Sequence, residues 1–354
     1  MADRTAIEWT DATWNPLRGC SRVSVGCRNC YAEIMAARFS KPGQWGHGLA
    51  NMVRVHHTGQ IDHRWTGKVI LVKDQLDQPL RWKKPRRIFV NSTSDLFHEA
   101  VPDEWIDQVF AVMALAPQHT FQVLTKRPER MRAYLAASRS SVICREAFDL
   151  VCEDYIANPK SRLGDQCIMT GDIPHLRDWP LPNVWLGTSI EDQATADTRI
   201  PHLLSTPAAV RFISAEPLLG PVTLVDRDPI KLVTGKDAAP ESRFYVSMLR
   251  GWGKDPYALP GLDWVICGGE SGPGALPMHP DWARSLRDQC QAAGVAFFFK
   301  QWGEWAPVKT TGHDDPRYPP SPPPTERLER LGKKAAGRLL DGRDWNQMPG
   351  VRDA

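Results

Sequence analysis

Residues 88–126, IFVNSTSDLFHEAVPDEWIDQVFAVMALAPQHTFQVLTK, hold the smallest complete piece of the fold. Ile88-Phe89-Val90-Asn91 is a short apolar run that follows Arg86-Arg87 and leads into Ser92-Thr93-Ser94. Across residues 103–116 the side chains Trp105, Ile106, Val109, Phe110 and Met113 recur at helical spacing, the stripe of an amphipathic helix. Phe121-Gln122-Val123-Leu124 is a second apolar run. A helix between two such runs is the crossover that parallel strands need, because no tight turn can join them.

The same rhythm continues outward. Upstream, residues 69–72 (VILV) precede a helical pattern over residues 74–82, and a further strand is expected at residues 12–15. Downstream, a helix near residues 128–137 follows Leu124, and Val184-Trp185-Leu186-Gly187 leads into a helix from Glu191. Val210-Arg211-Phe212-Ile213 is followed by a long irregular stretch, and Trp264-Val265-Ile266-Cys267 by a helix from Pro280. That helix carries Trp282, Leu286 and Cys290 on one side and stops at Gly294, before residues 295–299 (VAFFF). About seven such units predict an α/β fold, a full or partial (β/α) TIM-type barrel with loop insertions. An open doubly wound sheet fits less well, because no Gly-rich dinucleotide turn follows the first strand.

Three stretches break the rhythm and read as insertions on the rim: residues 40–65, rich in Gly and His, residues 138–182, with a short helical pattern at 145–156, and the polar residues 226–260. The barrel domain is thus expected over residues 1–306, with 307–354 forming a Pro-rich linker (PPSPPP) and a C-terminal appendage.

With 354 residues, 42% of them apolar, the chain can bury a large core without disulfides. No apolar run reaches the roughly 18 residues of a membrane-spanning helix. The start, MADRTAIEWTDATW, lacks the basic and apolar regions of a secretory signal, so a cytoplasmic protein is expected. A net charge of +3 is too small to argue nucleic-acid binding from bulk charge. The 14 tryptophans point to filled cores and clefts.

The strongest chemical signal is WNPLRGCSRVSVGCRNCYAEI, residues 14–34, in which Cys20, Cys27 and Cys30 are separated by six and two residues. Thiolates bind soft metals, and Gly19 and Gly26 let a loop curl around the site. The pattern turns helical after Cys30, which puts the ligands on the loop after the first strand, at the catalytic mouth of a barrel. Three neighbouring ligands suit a 4Fe-4S cluster with one open iron, whereas a structural zinc takes four. An open iron can chelate S-adenosylmethionine and deliver the electron that cleaves it, radical chemistry that belongs to the cofactor. The alternative is zinc with a distant fourth ligand, such as His47, His56, His57 or His63.

The stretch TAIEWTDATWNPLRGCSRVSVGCRNCYAE resembles the N-terminal signature of an uncharacterised bacteriophage-protein family that also occurs in bacterial genomes. VLTKRPERM, WLGTSIEDQATADTRIPHLL, RFISAEPLLGPV, DWVICGGESGPGALPMHPDWARSLRDQC, FFFKQWGEW and KKAAGRLLDGRDWNQMP extend the resemblance over nearly the whole chain. It implies a radical-SAM-like enzyme. The usual radical-SAM spacing places three residues between the first two cysteines, often with an aromatic before the last. Here the gap is six, Asn29 holds that place, and Tyr31 follows Cys30.

Polar residues at the ends of the expected strands form the second signal, because these ends converge on a barrel's active site. Thr93 and Ser94, Thr125 and Lys126, Ser189 and Glu191, Glu216, and Gly268, Gly269 and Glu270 are the expected contacts to S-adenosylmethionine. Helix caps and turns favour the same residue types. No residue stands out as the catalytic one. Gly268-Gly269-Glu270 matches in composition the strand end that holds the S-adenosylmethionine ammonium in many radical-SAM enzymes. There it follows the second strand, and here the penultimate one.

Lys126, Arg127, Arg130 and Arg132 form a basic group at a strand end, suited to a phosphate or a carboxylate. Lys83, Lys84, Arg86 and Arg87 precede a strand and read as a solvated loop. Cys144, Cys152 and Cys167, with His175, lack any CxxC pair and read as scattered thiols rather than a second metal site. Cys267 and Cys290 read as core residues. The expected partners are S-adenosylmethionine, an electron donor and a substrate that is a nucleotide or nucleic acid, with no membrane. Two other readings stay open: a non-catalytic zinc- or cluster-stabilised binding protein, and a metal-independent hydrolase using Glu216 and Glu270 as paired carboxylates.

Overall fold

A computed structural model describes residues 5–54, 61–137, 139–157, 179–225, 247–250, 260–309 and 326–350. Residues 138, 158–178, 226–246, 251–259 and 310–325, together with His56 and His57, lie outside the described residues, and with them Cys167 and His175.

Seven strands form the central sheet: β1 (Ala12–Trp14), β2 (Arg87–Val90), β3 (Thr120–Thr125), β4 (Val184–Ile190), β5 (Val210–Ala215), β6 (Trp264–Gly268) and β7 (Ala296–Gln301). They pair in chain order, and every pair is parallel. This is the single winding of a (β/α) barrel, without the reversal of strand order seen in a doubly wound sheet. Among the described residues no pairing joins β7 to β1, so the sheet curls into a half-barrel. The barrel is therefore partial. Residues 345–347 occupy the place an eighth strand would take. Trp345 O accepts from Phe299 N–H at 2.9 Å, and Gln347 N–H donates to Phe297 O at 3.2 Å, on an antiparallel course. That segment covers the exposed edge of β7.

The helices are α1 (Tyr31–Arg38), α2 (Asp103–Leu115), α3 (Pro128–Ala136), α4 (Ser140–Ala157), α5 (Gln193–Leu204) and α6 (Pro280–Ala293). Their ends follow local chemistry. Asp192 and Thr195 form a capping box at the start of α5, and Gly294, at φ +71°, ends α6 in the left-handed conformation. The stretch at 69–72 does not join the sheet. Only Ile70–Leu71 is extended, antiparallel to Leu17–Arg18. The helix expected over 74–82 is a single turn, Lys73–Leu76, because Pro79 lacks the N–H needed to continue it and a separate 3-10 turn, Gln78–Arg81, follows. Within 40–65, Ala50–Arg54 and Ile61–Trp65 form an antiparallel pair against α1.

Alternation along each strand separates two cores. Ile88, Val90, Phe121, Val123, Leu186, Ile213, Val265, Cys267, Phe297 and Phe299 face the helices. The alternate residues Phe89, Leu124, Trp185, Phe212, Trp264, Ile266 and Phe298 face the concave side, where Trp9 joins them from the N-terminal segment. Trp9 lies 4.8 Å from Phe89 and 6.1 Å from Trp264, centroid to centroid. Gly187 is required on this face, because a Cβ there would sit 2.6 Å from the Phe212 ring. The concave side is thus a packed aromatic core, and the chemistry is left to the strand ends above it.

Candidate metal centre

Beyond β1 the chain bends at Gly19 just before Cys20. Gly19 has φ +95°, and a Cβ there would lie 2.0 Å from Lys68 O, so only glycine allows the approach. A 3-10 turn, Val25–Cys27, carries the second cysteine, and Cys30 caps α1, accepting from Ile34 N–H at 3.1 Å. Arg22 ties this loop to its surroundings, donating to Glu33 Oε2 at 2.7 Å and to His63 O at 2.6 Å.

Cys20, Cys27 and Cys30 line one cavity of about 150 Å³. Its other wall is built from strand ends: Asn91, Ser94 and Asp95 beyond β2, Thr125, Lys126 and Arg127 at the end of β3, and Ser189 on β4. Of the contacts expected from sequence, Ser94, Thr125, Lys126 and Ser189 are brought to the cysteines. Neither His47 nor His63 lines the cavity. Among the described residues, no three His, Cys, Asp or Glu side chains surround one point as a lone metal ion requires. Burial, with the nearby Asp95 charge, pushes the Cys20 thiol up to about 12. Burial also raises Cys30, against the pull of the Ala32 and Glu33 N–H groups at the start of α1. Both thiols are therefore protonated near neutrality, and a bound metal would be what ionises them. Three thiols lining one cavity are donors of the kind that an iron–sulfur cluster takes.

Arg127 organises the wall beside Cys20. It donates to Asp95 Oδ2 at 3.0 Å, Glu99 Oε1 at 2.7 Å and Ser21 Oγ at 2.7 Å, and its Nη1 lies 3.9 Å from Cys20 Sγ. Asp95 is fully engaged, also accepting from Thr125 Oγ1 at 2.7 Å and Lys126 N–H at 3.1 Å. His98 stands 2.9 Å from Ser21 Oγ through Nε2. Its Nδ1 accepts from Ala100 N–H at 3.0 Å, which puts the proton on Nε2 and makes the imidazole a donor to Ser21 rather than its base. Burial, then Arg127, holds His98 below its ordinary pKa, so it stays neutral.

Glu191 joins the cysteine loop to β4. It accepts from Lys126 Nζ at 2.5 Å, Arg199 Nη1 at 3.0 Å and Ser24 Oγ at 2.9 Å. Burial alone would raise its pKa, but Lys126 and Arg199 outweigh that and hold it below the usual carboxylate value. A Cβ on Gly26 would lie 2.5 Å from Glu191 Cγ, which explains the second loop glycine.

The remaining expected residues lie apart from the thiols. Thr93 donates to Asn15 Oδ1 at 3.2 Å. Glu216 is held by Lys300 Nζ at 2.7 and 3.0 Å. Glu270 is buried and accepts from Leu276 N–H at 2.8 Å, with Arg28 of the cysteine loop 3.9 Å away. The two carboxylates thus have separate partners. Gly268 ends β6, where a Cβ would make only an ordinary contact with Glu216 at 3.4 Å. Gly269 has a packing reason, since its Cβ would lie 1.9 Å from Trp302 O. Cys144 and Cys152 are on α4, and Cys267 and Cys290 are buried in the core as expected.

Asn91, Ser24 and Arg199 were not among the expected site residues, and Arg127, expected in a basic group suited to a phosphate or carboxylate, is instead committed to Asp95 and Glu99. Alternation from the inward Phe89 points to Asn91, while Arg127 follows Lys126 directly at a strand end. A larger cavity of about 1040 Å³ lies at the opposite, N-terminal ends of the strands, lined by Val210, Arg211, Asp263 and Ala296. That end of a (β/α) fold serves stability.

The chain belongs to the family described as protein of unknown function (DUF5131), which matches residues 4–349. No curated protein and no solved structure matches it.

Proposed function

We propose that this member of the family is a radical-SAM-like iron–sulfur enzyme, in which Cys20, Cys27 and Cys30 hold a 4Fe-4S cluster and S-adenosylmethionine is the co-substrate. The observation that carries the proposal is the convergence of the three thiols on one cavity at the C-terminal ends of a parallel half-barrel. When bound and reduced by an electron donor, such a cluster supplies the electron that cleaves S-adenosylmethionine to a carbon radical.

The protein's own residues bind and orient. Arg127 fixes the backbone beside Cys20, and Glu191 fixes the loop through Ser24. Lys126 lines the cavity with its Nζ paired to Glu191, which joins the ends of β3 and β4 beside the thiols. The aromatic core beneath keeps water from approaching from the concave side. Tyr31 (67% exposed) and the half-exposed Arg28 flank Cys30 on the outside. An exposed ring and a partly exposed cation on the same loop suit a nucleotide or nucleic-acid substrate, which is the class proposed here.

The test is anaerobic reconstitution with iron and sulfide, then incubation with S-adenosylmethionine and dithionite. Broad visible absorbance and release of 5′-deoxyadenosine are expected. A brown protein that never releases 5′-deoxyadenosine would remove the radical assignment and leave the cluster. One observation favours a second reading. The cavity of about 150 Å³ is smaller than the roughly 300 Å³ at which ligand pockets begin, which suits a cluster- or zinc-stabilised binding protein. Tight metal without S-adenosylmethionine binding would select that reading, and a colourless metal-loaded protein would identify zinc.

A further inference from the structure

We infer that Asn91 is a further cofactor-binding residue, whose side-chain amide donates a hydrogen bond to the sulfur-rich group held by the three cysteines. The inference rests on the iron–sulfur reading above. Asn91 stands one residue beyond β2 and is only 3% exposed. Its φ is +61°, in the left-handed region that Asn tolerates better than other residues with a side chain. The backbone is held there by Asn91 N–H, which donates to Trp14 O at 2.7 Å.

The orientation of the amide is fixed by its neighbour. Asn91 Oδ1 accepts from Leu17 N–H at 3.3 Å. Turning the amide over would set its NH2 against that N–H, donor against donor. Nδ2 is therefore the free end, and it is buried without a hydrogen-bond partner among the described residues. The same residue lines the cavity that carries the thiols. Buried donors are nearly always matched, and an unmatched one marks a place where a ligand's acceptor belongs.

The two cationic side chains on this wall have protein partners. Arg127 is committed to Asp95, Glu99 and Ser21, and Lys126 to Glu191. Asn91 Nδ2 is a buried donor on this wall that no described residue matches. The acceptor that the thiols would bring is a sulfide or thiolate sulfur with negative charge. An N–H hydrogen bond to such a sulfur withdraws electron density and favours the reduced cluster.

The experiment compares wild type with Asn91→Gly and Asn91→Asp after anaerobic reconstitution. Iron and sulfide per chain, the visible spectrum and the reduction potential are measured, together with the unfolding midpoint of each metal-free protein. Glycine takes the left-handed conformation without strain, so Asn91→Gly keeps the strand end. That variant is expected to load iron as wild type does and to have a more negative potential. Asn91→Asp, which turns an acceptor toward the sulfurs, is expected to hold severalfold less iron. Wild-type potential and spectrum in a fully loaded Asn91→Gly would overturn the inference and leave the iron–sulfur reading standing. A wild-type protein that takes up no iron would remove both.

Discussion

Gly26→Ala tests whether the cysteine loop is docked on the strand ends as described. A Cβ at this position would lie 2.5 Å from Glu191 Cγ and 2.6 Å from Oε1, while ordinary contact begins at 3.4 Å. Loop and carboxylate must therefore separate by about 1 Å, a shift of the overpacking class. Glu191 cannot swing aside cheaply, because Lys126, Arg199 and Ser24 hold it from different directions. Overpacking of this kind costs about 1–3 kcal/mol. The assay is urea unfolding of the metal-free protein, with Glu191→Ala and the double variant completing a cycle. Truncating Glu191 removes the atoms that clash, so the double variant should recover about 1 kcal/mol or more relative to additivity. Gly26→Ala within about 0.5 kcal/mol of wild type, or strict additivity in the cycle, would show that the loop does not pack on β4 and would detach the cysteines from the strand ends.

Three further outcomes are expected. Cys20→Ala and Cys30→Ala should each lose most of the reconstituted iron, while Cys267→Ala, buried away from the cavity, should keep it; equal loss in all three would refute the assignment of ligands. Glu191 has a depressed pKa in the folded state, so its contribution to stability is present above the unfolded value near 4.5 and is lost as pH falls through the lower folded value. The acid limb of a stability–pH curve should accordingly be shallower for Glu191→Gln, and parallel limbs would count against the Lys126 and Arg199 pairing. Deleting the residues from Trp345 onward frees Phe299 N–H and Phe297 O on β7, and light scattering should show concentration-dependent aggregation that the full chain lacks.

How far the site could be read from sequence depends on which residues one asks about. The strands are legible as apolar runs, but their division into two faces, Phe121 and Val123 on one and Phe212 and Trp264 on the other, and what fills the concave side come from the structure. Trp9 joins that filling from outside any strand. The rule that strand ends converge brought Ser94, Thr125, Lys126 and Ser189 to the cysteines, and it did not bring Glu216 or Glu270 to the same wall. Geometry explains the difference. Neighbouring strands are about 4.8 Å apart, so β2 and β6 are separated by roughly 20 Å along the sheet. In an open half-barrel the ends of β2–β4 can face the loop after β1, while those farther along form their own charged group around Glu216 and Lys300.

The unmatched amide of Asn91 shows the other limit. Its position follows from alternation, whereas its unused donor depends on Leu17 N–H taking the oxygen, a contact across 74 residues that no local pattern encodes. The same long-range logic holds the loop itself. Gly19 and Gly26 act through the atoms they lack, and Arg22, Arg127 and Glu191 clamp the chain between them mainly through oxygen acceptors. A loop fixed by such contacts is shaped before metal arrives. Metal binding in this chain should therefore draw little on folding free energy, unlike small domains whose ligands are brought together only by the ion.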